Sequence, residues 1–298
     1  MSGAPPPAPA GRLRGLGRFL EIQNLGLNLP FALAFLFLAA AGLPSLPVLV
    51  LVVIAFVAAR NAGHSFNRWA DRWLDARNPR TQGRALAAGR ASPRAALAFA
   101  LASAAVVVAA AYLLNPLAFV LSPVAIALVF GYSYTKRVTT FTTAFLGLVE
   151  AVTPAAMFVA VTGTLAPEVL WAVAALLAWG TAFETVHSLG DLASDRALGL
   201  FSVPVRIGAA ASVRLVVVLH ATALALLAAF GLALHLRPSY FGALVAMALL
   251  AADTDRTLAR DPARPRVPFE RHFALGAIFL AGVLLALFVP WGPGLGAP

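Results

Sequence analysis

Nine apolar stretches dominate this chain, at about 22–42, 46–66, 95–114, 116–134, 141–163, 168–188, 211–234, 239–253 and 272–290. Each approaches the roughly 20 residues with which a helix crosses the hydrocarbon of a bilayer. The breaks between them hold helix-stopping residues: Gly42 and Pro44, Pro93, Pro116, Gly163 and Pro167, Pro204 and Gly208, and Pro238. Backbone in lipid must satisfy its own hydrogen bonds, so spans of this length form helices. The expected fold is all-α: a polytopic membrane protein with nine transmembrane helices. Composition agrees, because 61% of the residues are hydrophobic and only 11% are charged, about half the charged fraction of a soluble domain. The chain has no cysteine, which excludes a disulfide framework, a thiolate nucleophile and cysteine-ligated metal centres.

Lys and Arg are retained on the cytoplasmic side of a membrane. With the N-terminus placed inside, the inner segments are 12–18, 60–94, 136–137, 196–214 and 256–271, and every basic residue except Arg237 falls in one of them. The uncharged tail after Pro290 then ends outside. Residues 1–18, a Pro and Ala tract followed by Arg12, Arg14 and Arg18, read as a disordered basic cytoplasmic tail, and 19–298 as a single transmembrane domain. The net charge of +10 therefore reads as topology and as attraction for anions at the inner surface. The expected large partner is the lipid bilayer, not nucleic acid.

The chain also carries an internal echo at a spacing of 120 residues. Pro47 corresponds to Pro167, and Asn67, Asp71 and Asp75 correspond to His187, Asp191 and Asp195. Four spans separate the copies, so both acidic clusters emerge at one depth on the same side, as in two parallel four-helix repeats followed by one more helix. Aspartates four apart share a helical face. Two such pairs, with Asn67 one turn before Asp71, supply hard oxygen ligands suited to Mg²⁺ and a phosphate-bearing substrate. The flanking Arg68, Arg72, Arg80, Arg84, Lys136, Arg137, Arg196 and Arg206 exceed the charge of four carboxylates, which points to an anion. A solvated, salt-bridged rim is the alternative for either cluster alone; repetition at one depth favours ligands.

The runs "RNAGHSFNRWADRWLDARNPRTQGRALAAGR" (60–90), "YSYTKRVTTFTTAFLGL" (132–148), "AVTGT" (160–164) and "DLASDRALGLFSVPVRIG" (191–208) resemble the UbiA family of intramembrane prenyltransferases. Their wording is most similar to the 4-hydroxybenzoate polyprenyltransferase branch, including its relatives in menaquinone synthesis. The resemblance implies a nine-helix enzyme of the cytoplasmic membrane, with its active site near the cytoplasmic face. It would use Mg²⁺, as two ions, to transfer a polyprenyl group from polyprenyl diphosphate to an aromatic acceptor in ubiquinone or menaquinone biosynthesis. Metal-site positions carried over are Asn67, Asp71, Asp75, Asp191 and Asp195. Catalytic positions are Asp71, Asp191, Lys136 and Arg72. Substrate-binding positions are Asn67, Arg68, Arg80, Tyr132, Tyr134, Arg137, Glu150, His187 and Arg196.

Four positions depart from that pattern: His187 stands where the branch has Tyr, Glu184 where it has Asp, Thr143 where it has His, and Ala156 where it has Gly. These changes bear on the acceptor more than on the metal positions. Glu150, deep in the fifth span, is either functional or protonated against Thr153 or another hydroxyl. His64 and His187 are candidates to take the acceptor's proton, with a packed, satisfied side chain as the alternative for each; His220 and His272 read only as packed side chains. Two other readings remain at this point: the same fold with haem, chlorophyllide, a carotenoid or a glycerol lipid as acceptor, and a cation-coupled transporter using Glu150 and the Asp clusters.

Overall fold

The computed structural model describes residues 25–262 and 266–289. The expected tail at 1–18 and the uncharged C-terminal tail lie outside the described residues, as does the side chain of His272. Among the described residues there are helices and no strand: α1 Leu25–Ala39, α2 Leu46–Asp75, α3 Pro93–Leu114, α4 Pro116–Thr135, α5 Thr142–Thr162, α6 Val169–Gly190, α7 Leu192–Ala197, α8 Val203–Ile207, α9 Ala209–Ala233, α10 Pro238–Arg260 and α11 Arg266–Phe288. Six of them (α2 to α6 and α9) are long and apolar enough to cross a membrane. The stretches Asn28–Ala39 and Phe273–Phe288 are apolar but shorter.

Local chemistry sets the ends of these elements. Proline occupies the first turn of α2, α3, α4 and α10, where its missing N–H costs nothing. Asn115 caps α4 by accepting from the Ala118 amide at 2.9 Å, and its own amide donates to the Val159 carbonyl at 2.8 Å. One side chain thus starts α4 and ties it to the end of α5. Gly163 closes α5 in the left-handed conformation, at φ 68°.

The helices pack as α2 on α3 and α4, α5 on α6, α6 on α9, and α10 and α11 back onto α9 and α1. An aromatic core of Phe31, Phe35, Phe158, Trp179, Phe230, Tyr240 and Phe279 fills the half formed by α1, α5, α6, α9, α10 and α11. Outside, large apolar side chains such as Leu113, Val120, Val218 and Leu249 are exposed, the surface that hydrocarbon accepts.

Two helices that carry site residues or pack beside them meet at a pair of glycines. A Cβ on Gly180 of α6 would lie 2.9 Å from the Gly147 Cα of α5, and a Cβ on Gly147 would run into the Thr181 hydroxyl and the Leu177 carbonyl. Small residues let the two backbones meet in a membrane bundle. The lower half of α6, with Glu184 and His187, is thereby held against α5.

The 120-residue echo is imperfect in three dimensions. In the first copy α2 continues unbroken for nine residues beyond the apolar stretch and carries Asn67, Asp71 and Asp75 on its last turns. In the second copy the long helix stops at Gly190, Asp191 forms the junction, and Asp195 belongs to the short α7. The Asp195 amide still donates to the Asp191 carbonyl at 2.8 Å, so the i, i+4 relation of the pair survives the break.

Candidate functional site

Both acidic clusters face one cavity. Its walls are Asn67, Asp71 and Asp75 from α2; Asn78, Arg80, Thr81 and Arg84 from the loop after α2; Tyr132, Ser133 and Lys136 from the end of α4; Glu184 and His187 from α6; and Asp191 and Asp195 at and beyond its end.

Each of three aspartates is gripped by an arginine. Asp71 accepts from Arg137 at 2.7 Å and from the Asn67 amide at 2.9 Å. Asp75 takes two bonds from Arg84, at 2.9 and 3.0 Å. Asp191 takes a fork from Arg80, at 2.7 and 2.6 Å. Asp195 differs, since its Oδ2 is buried and accepts no hydrogen bond. Among the described residues no three His, Asp or Glu side chains converge closely enough to ligate one ion. Arginines hold Asp71, Asp75 and Asp191 by charge-assisted bonds, which are among the strongest hydrogen bonds available.

Electrostatics of the groups beyond the helical spans follow from the same crowding. Burial resists the charge of Lys136, but the carboxylates of Glu184, Asp195, Asp191 and Asp71 outweigh it and hold the ammonium above its ordinary value. Burial also resists the charge of Asp191; the Arg80 fork, with Lys136 and His187, prevails and holds that carboxyl below the usual carboxylate range. For Asp195 burial prevails with help from Asp191 and Glu184, only partly offset by Lys136 and the Ser202 hydroxyl, and the carboxyl is pushed up. The cavity therefore holds a fixed cation among carboxylates.

Of the residues expected from sequence, Asn67, Asp71, Asp75, Arg80, Tyr132, Lys136, His187, Asp191 and Asp195 line the cavity. Arg137 reaches it through Asp71. Arg72 does not: its guanidinium sits 5.3 Å from the Trp69 ring and 5.4 Å from the Trp73 ring, and donates to the Trp69 carbonyl at 2.6 Å. The adjacent position on a helix turns away from Asp71, so Arg72, expected from sequence as catalytic, lies off the cavity wall in this structure. Tyr134 is likewise outside, an exposed ring against Phe66 and 5.2 Å from the Arg137 guanidinium. Arg68 is near Arg84 and Asp75 without lining the cavity, and Arg196 does not line it either.

Glu150 is also absent from the cavity wall. The Asn28 amide donates to both of its oxygens, at 2.7 and 2.8 Å, and Arg60 is its cationic neighbour. The expected hydroxyl partner is thus an amide from α1. Sequence reasoning did not select Asn78, Thr81, Ser133 and Glu184 as site residues. The "NPRT" and "YSYTKR" runs contain the first three, whereas Glu184 stood out only as a departure from the family pattern.

Residues 28–276 match the UbiA prenyltransferase family. A 4-hydroxybenzoate octaprenyltransferase of Nitrosomonas eutropha is 34% identical over 251 residues, which cover 84% of this chain and 87% of that one. A UbiA homolog of Aeropyrum pernix superimposes with a TM-score of 0.81 at 30% identity, covering 89% of this chain and 98% of that one. A UbiA homolog of Archaeoglobus fulgidus, solved bound to GPP and Mg²⁺, shares the fold with a TM-score of 0.69 at 19% identity, over 92% of this chain and 99% of that one. With the family match extending over most of the chain and two acidic clusters on one cavity, this protein belongs to the UbiA prenyltransferase family.

Proposed function

We propose that this protein joins a polyprenyl group from polyprenyl diphosphate to an aromatic acid of the 4-hydroxybenzoate or dihydroxynaphthoate type, in ubiquinone or menaquinone synthesis. The observation that carries this reading is the shared cavity, where Asp71, Asp75, Asp191 and Asp195 from two distant segments surround Lys136. The similarity to a 4-hydroxybenzoate octaprenyltransferase supports the acceptor class.

The residues fit a hard divalent cation. Asp195 offers a buried oxygen that no arginine fork occupies among the described residues, with the Ser202 hydroxyl beside the carboxyl, and the other carboxylates and the Asn67 carbonyl oxygen supply the remaining hard ligands. Asn67, Asp71, Asp75, Asp191 and Asp195 would hold Mg²⁺, as two ions. Bound there, Mg²⁺ supplies positive charge to the diphosphate as it leaves. Lys136, Arg80, Arg84 and Arg137 add fixed cations around the leaving group, aimed where negative charge develops. As the allylic C–O bond breaks, the aromatic ring attacks the allylic carbon and later loses its proton. The apolar helix surfaces keep water from the allylic cation and let the isoprenoid tail remain in hydrocarbon.

The nine-span arrangement, with the N-terminus and the cavity at the cytoplasmic face, belongs to the same proposal and rests on the distribution of Lys and Arg. The test is prenyl transfer by the purified protein in detergent or vesicles, given Mg²⁺, a polyprenyl diphosphate and a panel of acceptors, with products read by mass. Transfer to a carboxylated phenol or naphthol is expected. Transfer only to haem, a chlorophyllide, a carotenoid or a glycerol lipid replaces the acceptor class, and solute uptake without any covalent product sinks the enzyme reading.

A further inference from the structure

Glu184 and His187 are one helical turn apart on α6, and both line the cavity. Glu184 is buried, with 2% of its surface exposed. The Tyr132 hydroxyl donates to its Oε1 at 2.6 Å, while its Oε2 lies 3.5 Å from His187 Nδ1. Tyr132 thus anchors one oxygen and leaves the other turned to the imidazole. A carboxylate beside Nδ1 favours the tautomer with the proton on that nitrogen and makes Nε2 the basic one, the arrangement that orients a histidine for proton transfer. The His187 side chain is 38% exposed, so the ring is accessible from the cavity.

The neighbouring acids are committed elsewhere. Asp71, Asp75 and Asp191 are each held by an arginine, and Lys136 is a cation. Asp195 is the oxygen donor assigned above to the metal. His64 stands apart, outside the cavity wall with Arg60 and Arg84 as its charged neighbours.

We propose that His187 is the catalytic base that takes the proton from the acceptor's ring, with Glu184 as its positioning residue. This rests on the transferase reading above. In the step, the ring carbon bonds to the allylic carbon whose C–O bond has broken, the C–O electron pair leaving with diphosphate. The ring C–H bond then gives its electrons back to the aromatic system and its proton to His187 Nε2. The Glu184 carboxylate stabilises the imidazolium that results.

The test is an isotope effect. Full-length protein is supplied with Mg²⁺, geranyl diphosphate and 4-hydroxybenzoate carrying either hydrogen or deuterium at the ring carbons beside the hydroxyl. For the wild type, kcat is expected to be insensitive to deuterium, because proton removal by the positioned base is not limiting. His187→Gln is expected to lower kcat by on the order of 100-fold, and to bring in a deuterium effect of about 2 or more as proton removal becomes limiting. Glu184→Gln is expected to move both readouts the same way by a smaller amount. The proposal is overturned if His187→Gln keeps kcat within about twofold, or slows without a deuterium effect, since loss of mere packing gives no isotope sensitivity. Should His187→Gln fail to fold, Glu184→Gln is judged by the same two readouts. A wild-type protein that transfers no prenyl group to 4-hydroxybenzoate or a naphthoate overturns the transferase reading instead, a separate result.

Discussion

Arg80 and Asp191, 111 residues apart in the chain, meet as a fork with Nε to Oδ1 at 2.7 Å and Nη2 to Oδ2 at 2.6 Å. The arginine comes from the loop that follows the first acidic cluster and grips the second. This contact ties the loop to the far side of the cavity it lines, and two parallel bonds require the planar guanidinium. Arg80→Lys is expected to lower kcat/KM for prenyl transfer on the order of tenfold and Arg80→Gln on the order of 100-fold. Steady-state assays with Mg²⁺ and a polyprenyl diphosphate decide it. Equal activity of Arg80→Lys and wild type would show that the fork has no role in turnover.

Two cations on adjacent faces give opposite expectations. Arg137 holds Asp71, so Arg137→Gln is expected to reduce transfer on the order of 100-fold. Arg72 is clamped over Trp69 and Trp73 instead. Its loss removes a half-buried cation–π contact of about 0.5–2 kcal/mol that lies off the cavity, and Arg72→Gln is expected to stay within about threefold of wild type in activity. Product formation by both variants in the same membranes checks the pair, and the reverse ranking would place Arg72 on the diphosphate.

The carboxylates make metal dependence testable without turnover. Chelation by EDTA is expected to abolish transfer, and excess Mg²⁺ to restore it. Paramagnetic resonance of Mn²⁺ is expected to show protein-bound ion in the presence of a diphosphate analogue. Asp71→Asn and Asp191→Asn should each weaken that signal by on the order of tenfold or more. Unchanged Mn²⁺ binding in both variants would remove these aspartates from the ligand set.

The contact between α5 and α6 predicts a stability effect remote from the charges. A methyl group on Gly180 would press on Gly147 and on the Glu150 stem, which lies 3.0 Å away. Gly180→Ala is therefore expected to destabilise the protein by about 1–3 kcal/mol through overpacking. A lowered thermal midpoint in detergent is the readout. No shift would mean that the helices separate at little cost.

Much of the architecture follows from local chemistry alone. Uninterrupted apolar runs in lipid have one way to satisfy their backbones, so helices, their proline-led starts and their glycine stops are legible residue by residue. Asp71 and Asp75, four apart on one helix, are legible as a pair for the same reason. The metal-type wording of 60–90 and 191–208 extended that reading to a family, which the match over residues 28–276 shows.

Tertiary structure alone decided which cation meets which carboxylate. Arg72 adjoins Asp71 in sequence, yet one residue turns a helix by about 100° and sends its side chain to the tryptophans. Arg80 lies in a loop whose path no local rule dictates, and packing carries it to Asp191. Glu184 gained its place in the same way, because Tyr132 on α4 reaches it only when the bundle closes, whereas His187 follows it by one turn of α6. Periodicity specifies which residues share a face, whereas charge pairing across a cavity depends on distances between separate elements, and those are set by packing.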